Sequence, residues 1–344
     1  MDLFNDKIKL NGIVRLNLPF VEKYRPKEID DILLEEIIKE KFTYMLESKF
    51  IPNLIITGEP STGKTSTILF IAKKIYSDKY TDNVLELNAS DDRGLSIINN
   101  TILPFCKKKI TSEDNYPKNK LVILDEADSI TQKAQNLLST MIIKYKNNTS
   151  VVFICNEYEQ IIESIQSKCI IIKYPKISKD KLYSKIEFIC KQENIKYTDS
   201  GIKSLLFVSD YDIRQSINNL ECIFYTFRLL SEEFVYEIID KPKPYYIKDI
   251  LIKCYESDYI KTIDIIKSMY LKGYTCNDIL SIFMKFIFDP EINIYLPFEI
   301  EEEYKLHMYE IISMHNIKIN EGCDSLLQIC GCISSVYKYI QSIK

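Results

Sequence analysis

The stretch Gly58-Glu59-Pro60-Ser61-Thr62-Gly63-Lys64-Thr65 decides the fold, because it lies between the apolar run Leu54-Ile55-Ile56 and the helical sequence Ser66-Thr67-Ile68-Leu69-Phe70-Ile71-Ala72. Strand, loop and helix in that order make a phosphate cradle. Glycines let successive backbone N–H groups turn inward, and the helix N-terminus adds its positive dipole. In this reading Gly58 to Ser66 wrap a nucleotide's phosphates, Lys64 reaches the β and γ groups, and the Thr65 hydroxyl completes the shell of a Mg²⁺ ion. The chain has only 8 Gly among 344 residues, so two at this spacing are not the coincidence they would be in a glycine-rich protein.

Outward from that loop, short apolar runs alternate with helix-length segments: Val84 to Leu87, Leu121 to Leu124, Val151 to Ile154 and Ile170 to Ile172. The pattern predicts an α/β domain with a parallel sheet covered on both faces. Ligands of such sheets sit beyond the strand C-terminal ends. There the third run closes on Asp125-Glu126, which suits Asp125 to hold Mg²⁺ through water and Glu126 to polarise an attacking water. Asn156 follows the fourth run, where an amide would meet a γ-phosphate or that water; a plain turn Asn is the alternative. The polar loop Leu87 to Gly94 reads by itself as helix capping, and Lys107-Lys108-Lys109 as a solvated helix end or loop, with a nucleic-acid contact as the alternative.

After Tyr174-Pro175 the sheet pattern stops. Helices are predicted over 181–192, 201–208, 212–225 and 231–239, and Asp240-Lys241-Pro242-Lys243-Pro244 reads as a linker. Residues 245 to 344 continue in apolar helical periodicity. The expected division is a nucleotide domain over 1–175, a small helical domain over 176–240 and a helical bundle over 241–344. A composition of 46% hydrophobic and 27% charged residues is that of a soluble globular protein, and no apolar run is long enough for a membrane span. The first residues, Met1 to Asp6, carry acids and no apolar core of a signal peptide. The 10 Cys are scattered without a C-x-x-C pair, which argues for buried thiols rather than zinc. A net charge of −4 excludes indiscriminate coating of nucleic acid, so any such contact is local.

Taken in order, phosphate loop, Asp-Glu strand tip, strand-end Asn and helical lid resemble an AAA+ P-loop ATPase. In more detail the chain resembles the small subunits of replication factor C, the eukaryotic sliding-clamp loader. The likeness rests on Val21-Glu22-Lys23-Tyr24-Arg25-Pro26, Glu86 to Gly94, Leu124 to Ser129, Ile161 to Cys169, Asp212 to Leu220 and Glu321 to Gln328, which together span most of the chain.

That resemblance implies ATP and Mg²⁺ as ligands, with Val21, Tyr24, Arg25 and Pro26 lining the adenine pocket. It implies that Asn156 senses the γ-phosphate and that Arg214 reaches ATP from the lid. Asn88 would be a switch that holds or releases Glu126, and Arg93 would face the DNA backbone. Residues 241–344 would be the collar of a heteropentamer that meets the sliding clamp and primer-template DNA in the nucleus, with no membrane role. Lys168 stands where the family places an arginine that serves the neighbouring subunit's ATP; lysine keeps the charge and loses the planar fork. Glu59 and Ser61 replace the family's usual Pro and Gly, and Leu138-Ser139 replaces a common Arg pair. An AAA+ protein-remodelling motor is the competing class, but its aromatic-hydrophobic-Gly pore loop is missing between Thr65 and Leu121. A non-hydrolysing ATP-binding scaffold is the other.

Overall fold

The computed structural model describes residues 18–26, 28–29, 31–90, 94–108, 117, 119–239, 241–288, 296 and 300–343. The chain forms two compact units that meet between Leu230 and Ser231.

The first unit is built on five parallel strands: β1 (Leu54–Gly58), β2 (Val84–Asn88), β3 (Lys120–Asp125), β4 (Thr149–Cys155) and β5 (Ile170–Tyr174), in the spatial order β2-β3-β4-β1-β5. Each apolar run of the sequence is a strand. The three central strands are buried almost throughout, while the edge strands β2 and β5, each with a neighbour on one side only, leave most of their positions partly or fully open.

Alternate residues of the central strands serve opposite layers. Leu54, Ile56, Leu121, Ile123, Val152 and Ile154 pack with Phe42, Ile68 and Ile71. Ile55, Val122, Leu124, Val151 and Phe153 pack with Ile98, Ala134, Leu138 and Ile142. Those partners place α2 (Glu36–Ser48) and α3 (Lys64–Tyr76) on one face, and α4 (Gln132–Lys144) with the helical segment 95–107 that carries Ile98 on the other; a four-residue turn of helix, α1 (Phe20–Lys23), precedes them. Phe42 is fully buried, and truncating it to Ala would cost about 3–5 kcal/mol through lost burial and the cavity left behind.

Three longer helices follow the sheet in this unit, α5 (Lys179–Gln192), α6 (Asp199–Val208) and α7 (Ile213–Thr226), each within two residues of its predicted start. Their ends follow side-chain chemistry. Thr198 caps α6 by accepting from Gly201 N at 3.1 Å, and Asp212 caps α7 by accepting from Gln215 N at 3.0 Å, which fixes Arg214 in the first turn. The sequence pattern missed a parallel pair of two-residue strands, β6 (Lys196–Tyr197) and β7 (Leu229–Leu230), which ties the ends of this helical group together.

In the second unit every described element is helical: α8 (Glu232–Ile238), α9 (Pro244–Tyr255), α10 (Tyr259–Leu271), α11 (Cys276–Ile287), α12 (Glu302–Asn320) and α13 (Leu326–Ile343). The proline punctuation ends in a helix start, with Pro244 in the first turn of α9, where a missing N–H leaves no bond unmade. Thr275 and Asp278 form a reciprocal capping box on α11. Ile247, Leu251, Ile279, Phe283, Met308, Ile312, Ile333 and Val336 make a core of their own.

Candidate nucleotide-binding site

All five strands of the parallel sheet point their C-terminal ends to the same edge, and the phosphate loop leaves that edge from β1. Gly58 has φ +153°, and a Cβ there would lie 2.7 Å from the carbonyl oxygen of Tyr174 on β5, so only glycine fits. Gly63 caps α3 with φ +90°. Between them Ser61 adopts φ +61°, the left-handed region that glycine occupies without steric cost.

Lys64, 7% exposed, turns its amine back into the loop. It donates to the carbonyls of Gly58 and Glu59 at 2.7 Å each and to Asn156 Oδ1 at 2.9 Å. Burial lowers its pKa below the ordinary lysine value; Cys155, Asp125 and Asp128 pull the other way. A charged amine confined among acceptors is placed to trade them for phosphate oxygens.

Next along α3, the Thr65 hydroxyl donates to Asp125 Oδ2 at 2.9 Å, and Asp125 Oδ1 accepts from the N–H of Glu126 at 3.0 Å. A hydroxyl and a carboxylate side by side are the hard oxygen donors that Mg²⁺ takes, so the residues fit that ion. Glu126 is held at φ +53°, ψ +42° with an exposed side chain. A non-glycine residue in that conformation at a strand tip is the kind of strain that collects at functional sites.

Asn156 is braced from two sides: its N–H donates to Asp128 Oδ2 at 3.0 Å, and its carbonyl accepts from Thr57 Oγ1 at 2.9 Å. Sequence reading passed over Asp128, although its place beyond the Asp-Glu pair was the available signal.

Beside the loop opens a solvent-connected cleft. Its walls are the arm residues Val21, Tyr24, Arg25 and Pro26, the loop residues Ser61, Thr62, Gly63 and Ser66, and Arg214 from the start of α7. Segments far apart in sequence therefore converge on one site. Sequence reading missed Asp31, Ile32, Leu33, Ile177, Lys185, Ile213 and Ile217, which also line it. Ile213 and Ile217 flank Arg214 at helical spacing, whereas Lys185 carried no sequence signal.

Two expected residues, Asn88 and Lys168, stand apart from this cleft. Asn88 pairs in register with Asp125, and its side-chain oxygen accepts from Ser90 N at 3.0 Å and Ser90 Oγ at 2.9 Å, folding its own loop. Arg93 lies outside the described residues. Lys168 is half-buried with its amine on Ser139 of α4, bonded to the hydroxyl and 3.5 Å from the carbonyl oxygen. Glu59, at the loop's open end, forms an exposed ion pair with Lys176 at 3.3 Å.

The strand order explains the chemistry. Because β4 runs between β1 and β3, Asn156 meets Lys64 while Asp125 reaches Thr65 across it, the arrangement of a P-loop ATPase. Residues 54–175 match the family model for the ATPase family associated with various cellular activities (AAA), and residues 242–335 match that for the replication factor C C-terminal domain. Replication factor C subunit 2 of Arabidopsis thaliana is 34% identical to this chain, over 93% of each. Subunit 4 of Saccharomyces cerevisiae is 34% identical over 96% of this chain and 98% of its own, and subunit 5 of Mus musculus 35% identical over 93% and 91%. Among solved structures, the Holliday junction branch migration motor RuvB of Thermotoga maritima shares the fold with a TM-score of 0.51, at 16% identity, over 63% of this chain and 72% of that one. The chain belongs to the replication factor C family. No helix among the described residues is long and apolar enough to cross a membrane.

Proposed function

We propose that this chain is an ATPase subunit of a sliding-clamp loader, one of five in a heteropentamer that uses ATP binding and hydrolysis to place the clamp on primer-template DNA in the nucleus. The observation that carries the reading is the pair of contacts Lys64–Asn156 and Thr65–Asp125 within a chain of the replication factor C family. In this division residues 1–175 bind the nucleotide, 176–240 form the lid and 241–344 the collar.

The loop from Gly58 to Ser66 wraps the triphosphate with its N–H groups, and Lys64 exchanges the loop carbonyls for phosphate oxygens. Thr65 and Asp125 would hold Mg²⁺, which when bound neutralises charge building on the phosphate oxygens. Val21, Tyr24, Arg25 and Pro26 wall the base side of the cleft. Glu126, open to solvent at the β3 tip, accepts a proton from the attacking water, and Asn156 orients that water against the γ-phosphate. Arg214 brings a positive charge from the lid. Asn88 turns from its own loop toward Glu126 when DNA arrives, with Arg93 toward the DNA backbone, a contact that positions without reading sequence. Lys168 would leave Ser139 to meet the neighbouring subunit's ATP.

The test is assembly. Co-expressed with the other replication factor C subunits, the chain should co-purify in a five-subunit complex whose ATPase rises with clamp and primer-template DNA together. A chain that stays outside the complex, or a complex indifferent to clamp and DNA, would refute the proposal.

A further inference from the structure

The arm residues of the cleft are fastened to the lid by side chains that no nucleotide motif contains. Glu193 caps the C-terminal end of α5, its side chain 13% exposed. Its carboxylate accepts a hydrogen bond from the Tyr24 hydroxyl and pairs with the Lys23 ammonium at 2.5 Å. The ammonium thereby also meets the negative end of the α5 dipole. A second lid carboxylate, Glu221 on α7, accepts from the N–H of Phe20 at 2.9 Å, satisfying a donor that the first turn of α1 leaves unpaired. Phe20, 3% exposed, wedges against Phe224 and Tyr225 with centroids 5.6 and 6.4 Å away, and Tyr24 meets Phe188 of α5 edge-on at 6.4 Å. Farther along, Lys181 of α5 donates to the Leu34 carbonyl at 3.0 Å.

Two consequences follow for Tyr24. Its hydroxyl is spent on Glu193, which leaves the ring as its contribution to the cleft wall. Burial, and then the bond to Glu193, raise the phenol's pKa well above the ordinary value, so it stays a donor to the carboxylate. Arg25 and Pro26 follow directly in the chain, so holding Lys23 and Tyr24 also sets where they stand.

We infer that Glu193 is a positioning residue for nucleotide binding: from the end of α5 it grips Tyr24 and Lys23, so the arm wall of the cleft moves as one piece with the lid that carries Arg214. The inference rests on the nucleotide reading proposed above. A nucleotide between loop and lid then engages arm and Arg214 together, and release of either releases both.

The experiment titrates a fluorescent ATP analogue into the full-length chain and measures steady-state hydrolysis by the assembled complex. Losing a charge-assisted hydrogen bond and its ion pair is expected to make Glu193→Ala bind ATP about tenfold more weakly. The KM should rise in proportion, while kcat at saturating ATP stays within about twofold of wild type. Glu193→Gln, whose amide oxygen still accepts from Tyr24, should show a smaller loss, and serves if the alanine variant folds poorly. Tyr24→Phe should weaken binding, and adding Glu193→Ala to it should cost less than the two single losses together, because the two residues share one interaction. Glu193 variants that melt earlier yet bind ATP as wild type does would reduce Glu193 to a brace and overturn the inference. Wild-type chain that binds no ATP would overturn the nucleotide reading, and this inference with it.

Discussion

Ser61 offers a measurable departure inside the phosphate loop. Its φ of +61° costs an L-residue about 1–2 kcal/mol relative to a right-handed conformation, a cost that glycine does not bear. Against that gain, glycine widens the unfolded ensemble by about 0.4–1 kcal/mol. Ser61→Gly should therefore stabilise the first unit by about 0.5–1 kcal/mol, which for a unit of this size is a rise in melting temperature of about 1–4 °C. The relief is the same with or without ATP as long as the loop keeps its shape. The ATP dissociation constant should then stay within about twofold of wild type, while both free and ATP-bound chains melt later. Ser61→Ala, which keeps the Cβ and its clash, is the control and should bring no stabilisation. The assay is scanning calorimetry of the full-length chain with and without ATP, beside an ATP titration. A lower melting temperature for Ser61→Gly, or equal stabilisation by Ser61→Ala, would refute the strain argument.

Lys168 and the buried cysteines carry the next two expectations. Lys168→Arg should leave this subunit's own ATP affinity unchanged and speed hydrolysis in the neighbour at least about tenfold, part of the 10³-fold or more that a placed arginine supplies, while Lys168→Ala slows it. Single-turnover hydrolysis in a complex whose only competent site faces Lys168 decides this, and an unchanged rate in both variants would make the residue a surface lysine held by Ser139. Burial pushes the thiol of Cys155 up to about 11, and those of Cys254, Cys276 and Cys332 up to about 12, from an ordinary 9.0. The unfolded chain therefore loses these protons first, so their contribution to stability is complete below pH 9 and drains away as the pH climbs toward 11–12, by about 1.4 kcal/mol per pH unit for each thiol. Urea midpoints measured from pH 8 to 10 should fall accordingly, with a shallower fall in Cys332→Ala; a flat profile would contradict the assignment.

Much of this fold is written locally, and what is not has a physical reason. The five strands are legible because a central parallel strand needs an unbroken apolar run, and β1, β3 and β4 supply one. Helix α7 is legible through its cap, Asp212. A two-residue strand has no period, so β6 and β7 left no trace. In the site, Gly58, Gly63, Lys64 and Thr65 were readable because the loop's backbone geometry admits few alternatives. Glu193, 169 residues from the tyrosine it holds, and Lys185 in the cleft wall were not, since a lone Glu or Lys on an amphipathic helix looks the same whether it faces solvent or a ligand. Asn88 shows the reverse case. The resemblance implies a role toward Glu126, while its side chain bonds Ser90, so the proposed role would require a rearrangement.

The central claim is that Lys64 binds and Glu126 hydrolyses. Its most direct test is ATP binding and single-turnover hydrolysis at this subunit's own site in the assembled complex, with the other sites disabled. Lys64→Ala should abolish binding there. Glu126→Gln should bind ATP with wild-type affinity and cleave it about 10²-fold or more slowly, the usual contribution of a general base. Wild-type hydrolysis by Glu126→Gln, or undiminished ATP affinity in Lys64→Ala, would contradict the account.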